Sequence, residues 1–210
     1  MHDDIMIQSE PENLSWERHK VIETIHNWGT WRDGNRWQLL RTLYTENATM
    51  AVSWFEGTAN DFIEGCISMS ERLPNPVKSQ HLIGNSSTTF LNKKCVAETR
   101  MSIFLRLQVH GVECDITAIG SFYDYLRKVE NAWLIERRVA IFDKDMMQPV
   151  FPGDNLKVDK RKFETFPEPY RCCAYTFAER GMVINSDLPI AGGRSLSCLY
   201  NAGNIWLMND

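Results

Sequence analysis

SQHLIGNSSTTFLNKKCVAETRMSIFLRLQVHGVECDITAIGSFYDYLRKVENAWLIERRVAIFDK, residues 79–144, decides the fold. The stretch is rich in β-branched and aromatic residues and is cut by three short polar turns, Asn92-Lys93-Lys94, His110-Gly111 and Glu130-Asn131. These cuts leave four long strands, Ser79–Leu91, Cys95–Val109, Val112–Lys128 and Ala132–Lys144, whose tight connections dictate an antiparallel meander. Gly120 lies inside the third strand, where a glycine marks a bulge or a sharp bend in a strongly curved sheet. Alternation sets Phe122, Asp124 and Leu126 on one face of that strand and Tyr123 and Tyr125 on the other.

Upstream of the strands the apolar spacing is helical. Leu14, Val21, Ile22, Ile25 and Trp28 recur at three- and four-residue steps until Asp33-Gly34-Asn35 interrupts them. Trp37, Leu40, Leu43 and Tyr44 give a short second helix, Thr49–Trp54 a strand, and Asn60–Arg72 a third helix stopped by Leu73-Pro74-Asn75-Pro76. Helices followed by a curved antiparallel sheet form an α+β arrangement. With the helices packed into the concave face, the sheet becomes a cone whose open end is a small-molecule cavity.

The flanks read differently. Residues 1–13 are a polar, loose leader, residues 14–148 form the α+β barrel domain, and residues 149–210 form an extension broken by prolines and glycines. Phe163, Phe166, Tyr170, Tyr175, Phe177, Tyr200 and Trp206 make that extension too apolar for disorder. It is expected to be irregular and to pack on the cone's mouth or outer face. The packing surface belongs to the same subunit or to a partner in a homodimer or homotrimer, with Tyr200 and Trp206 buried by the contact.

The 210-residue chain has 43% hydrophobic and 24% charged residues and a net charge of −4, without a basic block, which excludes a dedicated nucleic-acid binder. No apolar run approaches the ~20 residues of a membrane span. The start, MHDDIMIQSEPENLSW, is neither a signal nor a transit peptide, so the expected compartment is the cytosol. The six cysteines contain no C-x-x-C pair and read as reduced, mostly buried small hydrophobes; no metal site is expected. Phosphate-binding, dinucleotide and nucleophile-elbow motifs are absent, so the expected chemistry is acid/base work in an apolar pocket without a cofactor.

Two residues stand out for that chemistry: Asp33 within NWGTWRDGNRW and His81 within SQHLIGN. A carboxylate that orients a histidine and stabilises its charged form makes an economical general base. The residues alone equally allow Asp33 to be a turn former before Gly34 and His81 to be an ordinary strand residue.

NWGTWRDGNRWQLLRTLY, SQHLIGN and SFYDYLRKVENAWLIERR, in this order, resemble the SnoaL-like, scytalone dehydratase-like branch of the nuclear transport factor 2-like superfamily over residues 15–146. Trp28, Asp33 and Trp37 fall on the family's first-helix pattern, and His81 falls on its catalytic histidine. The resemblance implies a curved-sheet cone in which an Asp33–His81 dyad abstracts a proton without a cofactor. It also implies a pocket for a small hydrophobic cyclic molecule, here assigned to Trp28, Arg32, Trp54, Phe62, Thr117 and Arg138. Two departures stand out. A second family histidine falls near Thr117, and pocket tyrosines give way around Arg32 and Ser53, which speaks against scytalone itself as substrate. The family includes dehydratases, a dehydrochlorinase, steroid isomerases and polyketide cyclases. A lyase or isomerase is therefore the leading expectation, with a non-catalytic binding or assembly protein, or a dioxygenase small subunit, as alternatives.

Overall fold

The computed structural model describes residues 14–72 and 78–209, so the expected leader and the proline-rich stop after the third helix lie outside the described residues. Three helices and six strands make the main body in the order α1 (Leu14–Asp33), α2 (Trp37–Arg41), β1 (Tyr44–Val52), β2 (Phe55–Thr58), α3 (Ala59–Arg72), β3 (Lys78–Leu91), β4 (Lys94–Val109), β5 (Val112–Val129) and β6 (Ala132–Pro149). The strands form one curved, open sheet in the order β2-β1-β6-β5-β4-β3. Strands β3 to β6 pair antiparallel in sequence order, as the turn spacing requires, and β1 joins β6 in parallel. The turns that separate them carry Asn92, His110 and Glu130 in the left-handed region, at φ 54°, 49° and 53°.

The register of β5 against β6 slips between Ile119 and Gly120, and a Cβ at Gly120 would run into the Ile141 carbonyl oxygen. Only glycine permits that approach, and the sheet bends there. Phe122, Asp124 and Leu126 point into the core, while Tyr123 and Tyr125 stand on the opposite face.

Two local expectations are corrected. Tyr44 opens β1 instead of ending a helix, because it pairs with Ile135 and its hydroxyl accepts a hydrogen bond from Trp28 Nε1. The sequence reading also passed over β2, whose four residues pair with the end of β1.

The extension joins helical pieces through irregular stretches. It contains α4 (Lys160–Phe163), a 3₁₀ turn (Glu168–Tyr170), α5 (Arg171–Ala178) and α6 (Arg194–Met208). Helix α5 packs at the mouth of the cone, where Cys173 and Phe177 meet Trp54, Phe142 and Ile103 around one chamber. The Asp145 carboxylate at the end of β6 accepts the Cys173 N–H at 2.8 Å and so anchors the start of α5. Helix α6 lies on the outer face, with Tyr200 against Tyr123 and Trp206 against Tyr125. Tyr200 donates to Glu98 at 2.8 Å and Trp206 Nε1 donates to Glu136 at 3.0 Å. Leu199, Gly203 and Leu207 are buried by this contact, while Tyr200 and Trp206 remain half-buried because their polar ends reach the rim. Both liabilities of the cone are covered within one chain, so the tail's aromatics do not by themselves demand a second subunit. Among the described residues, no helix is long and apolar enough to cross a membrane.

Candidate active site

Helix α1 ends at Asp33, and β3 passes beside that end. Asp33 reaches across 48 positions to His81: its Oδ1 accepts from the ring Nδ1 at 2.7 Å, and its Oδ2 accepts from the His81 backbone N–H at 2.5 Å. Both carboxylate oxygens are thus engaged by one residue, which fixes the ring and the strand together. The His81 side chain is 7% exposed and stands edge-on to Trp28, with a centroid separation of 5.3 Å.

The electrostatics assign the protons. Burial would raise the Asp33 pKa, but the hydrogen bonds and charge offered by His81, with help from Arg32, hold it below the ordinary carboxylate value. Burial lowers the His81 pKa, and Arg32 and Arg138 add to that effect, outweighing the pull of Asp33. The pair at neutral pH is therefore an ionised Asp33 and a neutral His81. Its Nδ1–H donates to the carboxylate, which leaves the Nε2 lone pair free to accept a proton.

Two adjoining spaces with lining residues in common lie at this pair. An outer funnel of about 670 Å³ is lined by Asp33, Trp37, Ser79, Gln80, Thr117 and neighbours. An inner chamber of about 40 Å³ is walled by His81, Trp28, Phe62, Phe122, Cys173 and Phe177 among others. Arg32, Trp54, Leu105 and Phe177 line both and so form the neck between them.

Of the residues assigned from sequence, Trp28 and Phe62 face the inner chamber, Arg32 and Trp54 stand at the neck, and Thr117 lies in the outer funnel, away from His81. Arg138 is the exception: it lines neither space. Directly opposite Asp124 across the β5–β6 ladder, it binds that carboxylate through two bonds of 2.6 and 2.7 Å. Its guanidinium sits 4.3 Å from the ring centroids of both Trp28 and Phe122. Arg138 thus backs the chamber wall from within the core, because a cation there needs its carboxylate more than it needs solvent.

Sequence reasoning missed Cys173 and Phe177, which α5 brings to the inner chamber. Their i, i+4 spacing within EPYRCCAYTFAERG was the available clue. Among the described residues, no group of three His, Cys, Asp or Glu side chains could hold a metal ion.

Comparison with known proteins places this geometry. The chain is 27% identical to pea pathogenicity protein 2 of Fusarium vanettenii over 188 residues, covering 88% of this chain and 78% of that protein. A provisionally assigned scytalone dehydratase from Novosphingobium aromaticivorans superposes with a TM-score of 0.51 at 16% identity, covering 70% of this chain and 95% of the other. The type 2 hexachlorocyclohexane dehydrochlorinase LinA superposes with a TM-score of 0.52 at 12% identity, covering 70% and 96%. At such identities the two structures speak for the fold alone. The profile of the SnoaL-like domain matches residues 14–139, more than half of the chain and every element from α1 to the middle of β6. The chain belongs to the SnoaL-like domain family.

Proposed function

We propose that this protein is a cofactor-independent lyase or isomerase, of dehydratase or cyclase type, acting in the cytosol on a cyclic hydrophobic small molecule. His81 Nε2 is the general base, Asp33 fixes the tautomer and stabilises the imidazolium that forms, and the aromatic walls exclude water. One observation carries this reading: a doubly bonded Asp33–His81 pair whose ring lines an apolar chamber at the end of a funnel. A carboxylate clamped on a buried histidine is a costly arrangement for a protein that only binds.

The inner chamber admits only the reacting edge of a ligand, whose body then occupies the funnel. That narrowness supports the second reading, a non-catalytic binding or assembly protein of the same fold. Deuterium exchange at carbons next to the carbonyl of cyclic ketones, followed by NMR in heavy water, separates the two. The protein should accelerate exchange for at least one member of a ketone panel, and His81→Asn should lose about 10²–10⁴ of that rate. The acid limb of the rate should have its midpoint below the ordinary histidine value of 6.5, because burial holds His81 neutral. Exchange that is absent, or equal in the variant, would remove the catalytic reading.

A further inference from the structure

Arg32 carries a charge that the protein leaves only partly answered. Its Nη1 donates to Ser79 Oγ and, at 3.3 Å, to Asp33 Oδ1. Its Nε is buried and has no acceptor among the described residues. Ionised Asp33 faces this charge at 3.3 Å, a long contact made through the same Oδ1 that accepts from the His81 ring. The other charges around the funnel do not help. Arg106 and Asp115 satisfy one another through two bonds of 2.7 and 2.6 Å, and Lys78 adds a further positive charge at the rim with no ion pair among the described residues. One more cation than anion therefore lines the funnel, and at its neck stands a guanidinium fork flanked by the apolar faces of Trp54 and Phe177.

We propose that the ligand is an acidic cyclic molecule whose carboxylate is received by Arg32 at the neck, with its ring system held against Trp54 and Phe177. This rests on the reading of the two chambers as the substrate site and adds the chemical class of the substrate. The pairing gives the guanidinium an acceptor from the cavity side, where Arg32 lines both spaces, in a bond that is charged on both sides and so among the stronger ones available. It also couples binding to basicity. The Arg32 charge disfavours the protonated form of His81, and a bound carboxylate offsets that charge, so His81 becomes a stronger base when an acidic ligand is in place.

The test uses the full-length protein with 2-naphthoate and its neutral counterpart 2-naphthamide as probes. Binding is followed by quenching of the tryptophan fluorescence, since Trp28, Trp37 and Trp54 line the chambers, and by calorimetry. Naphthoate should bind about 10- to 100-fold more tightly than naphthamide, the range expected for a hydrogen-bonded charge pair. Arg32→Gln should erase that preference, the two probes then binding within about twofold of one another, and Arg32→Lys, which keeps the charge but not the fork, should retain part of it. The preference is read from binding alone, without turnover, so a failed exchange assay and a failed anion preference are read separately. Absence of a preference in the unmodified protein, including no binding of either probe at millimolar concentration, overturns the proposal. So does a preference that survives Arg32→Gln.

Discussion

Asp124→Ala would leave the Arg138 guanidinium in the core without a carboxylate. Both side chains are 0% exposed, and among the described residues the two bonds of 2.6 and 2.7 Å are the whole of the cation's hydrogen bonding, since Nη1 lacks an acceptor there. The rings of Trp28 and Phe122 remain in place in the variant, so their attraction for the cation is not gained or lost in the comparison. Removing one partner of a buried pair costs about 3–5 kcal/mol because the other charge stays desolvated. In a chain of this size each kcal/mol moves Tm by about 2–4 °C, so the melting point should fall by roughly 6–20 °C. Urea unfolding monitored by tryptophan fluorescence, with calorimetry beside it, measures the loss. A paired replacement, Asp124→Leu with Arg138→Met, removes both charges and should recover most of the stability or exceed that of the parent. A loss below about 1 kcal/mol for Asp124→Ala would refute the account of Arg138 as a wall support dependent on one carboxylate. So would a double variant as weak as the single one.

Asp145 gives a pH signature: burial pushes its pKa from 3.8 up to about 6, against the pull of the Cys173 N–H. The folded state therefore holds this proton more firmly than the unfolded chain. The corresponding stability is present below the unfolded value and is lost as pH rises through about 6, by about 3 kcal/mol at most. Asp145→Asn keeps an acceptor for the Cys173 N–H. It should gain on the parent over that window and be at least as stable at pH 7.5; a stability difference independent of pH between 4 and 6.5 would contradict this assignment. Gly203→Val tests the seat of α6, because a Cβ there meets the Tyr123 hydroxyl, which is itself packed between Tyr125 and Tyr200. The variant should lose about 1–3 kcal/mol, and an unaltered melting curve would mean that α6 does not hold the outer face.

The strands were legible because each is a long β-branched and aromatic run that ends at residues that tolerate the left-handed turn, such as Asn92 and His110. Gly120 was legible for the same local reason. Tyr44 and β2 were not, since their state depends on pairing with β6 and with each other, which no window of sequence contains. The extension misled through its punctuation. Pro167 and Pro169 sit at the entry to the 3₁₀ turn, and Gly193 caps the start of α6, so the breakers mark helix beginnings and not interruptions. Helix α6 itself contains Asn201, Gly203 and Asn204, weak helix formers, and is held by its contact with Tyr123 and Tyr125. The residues offered Asp33 and His81 as a pair beside a turn former and an ordinary strand residue, and only the resemblance favoured the pair, because their meeting is a property of how α1 crosses β3. The role of Arg138 was misjudged because inward-facing on a strand does not distinguish a cavity wall from the core behind it.

The match to the family ends at residue 139, yet Cys173 and Phe177 close the chamber around His81 from beyond that limit. Base and boundary are thus carried by different parts of the chain, one inside the family match and one beyond it. Substitutions in α5 can reshape what fits beside the imidazole without disturbing Asp33, the sheet or its bulge. Kinship across the barrel alone is then a poor guide to shared ligands: two relatives with the same Asp and His but different tails can diverge in what they accept.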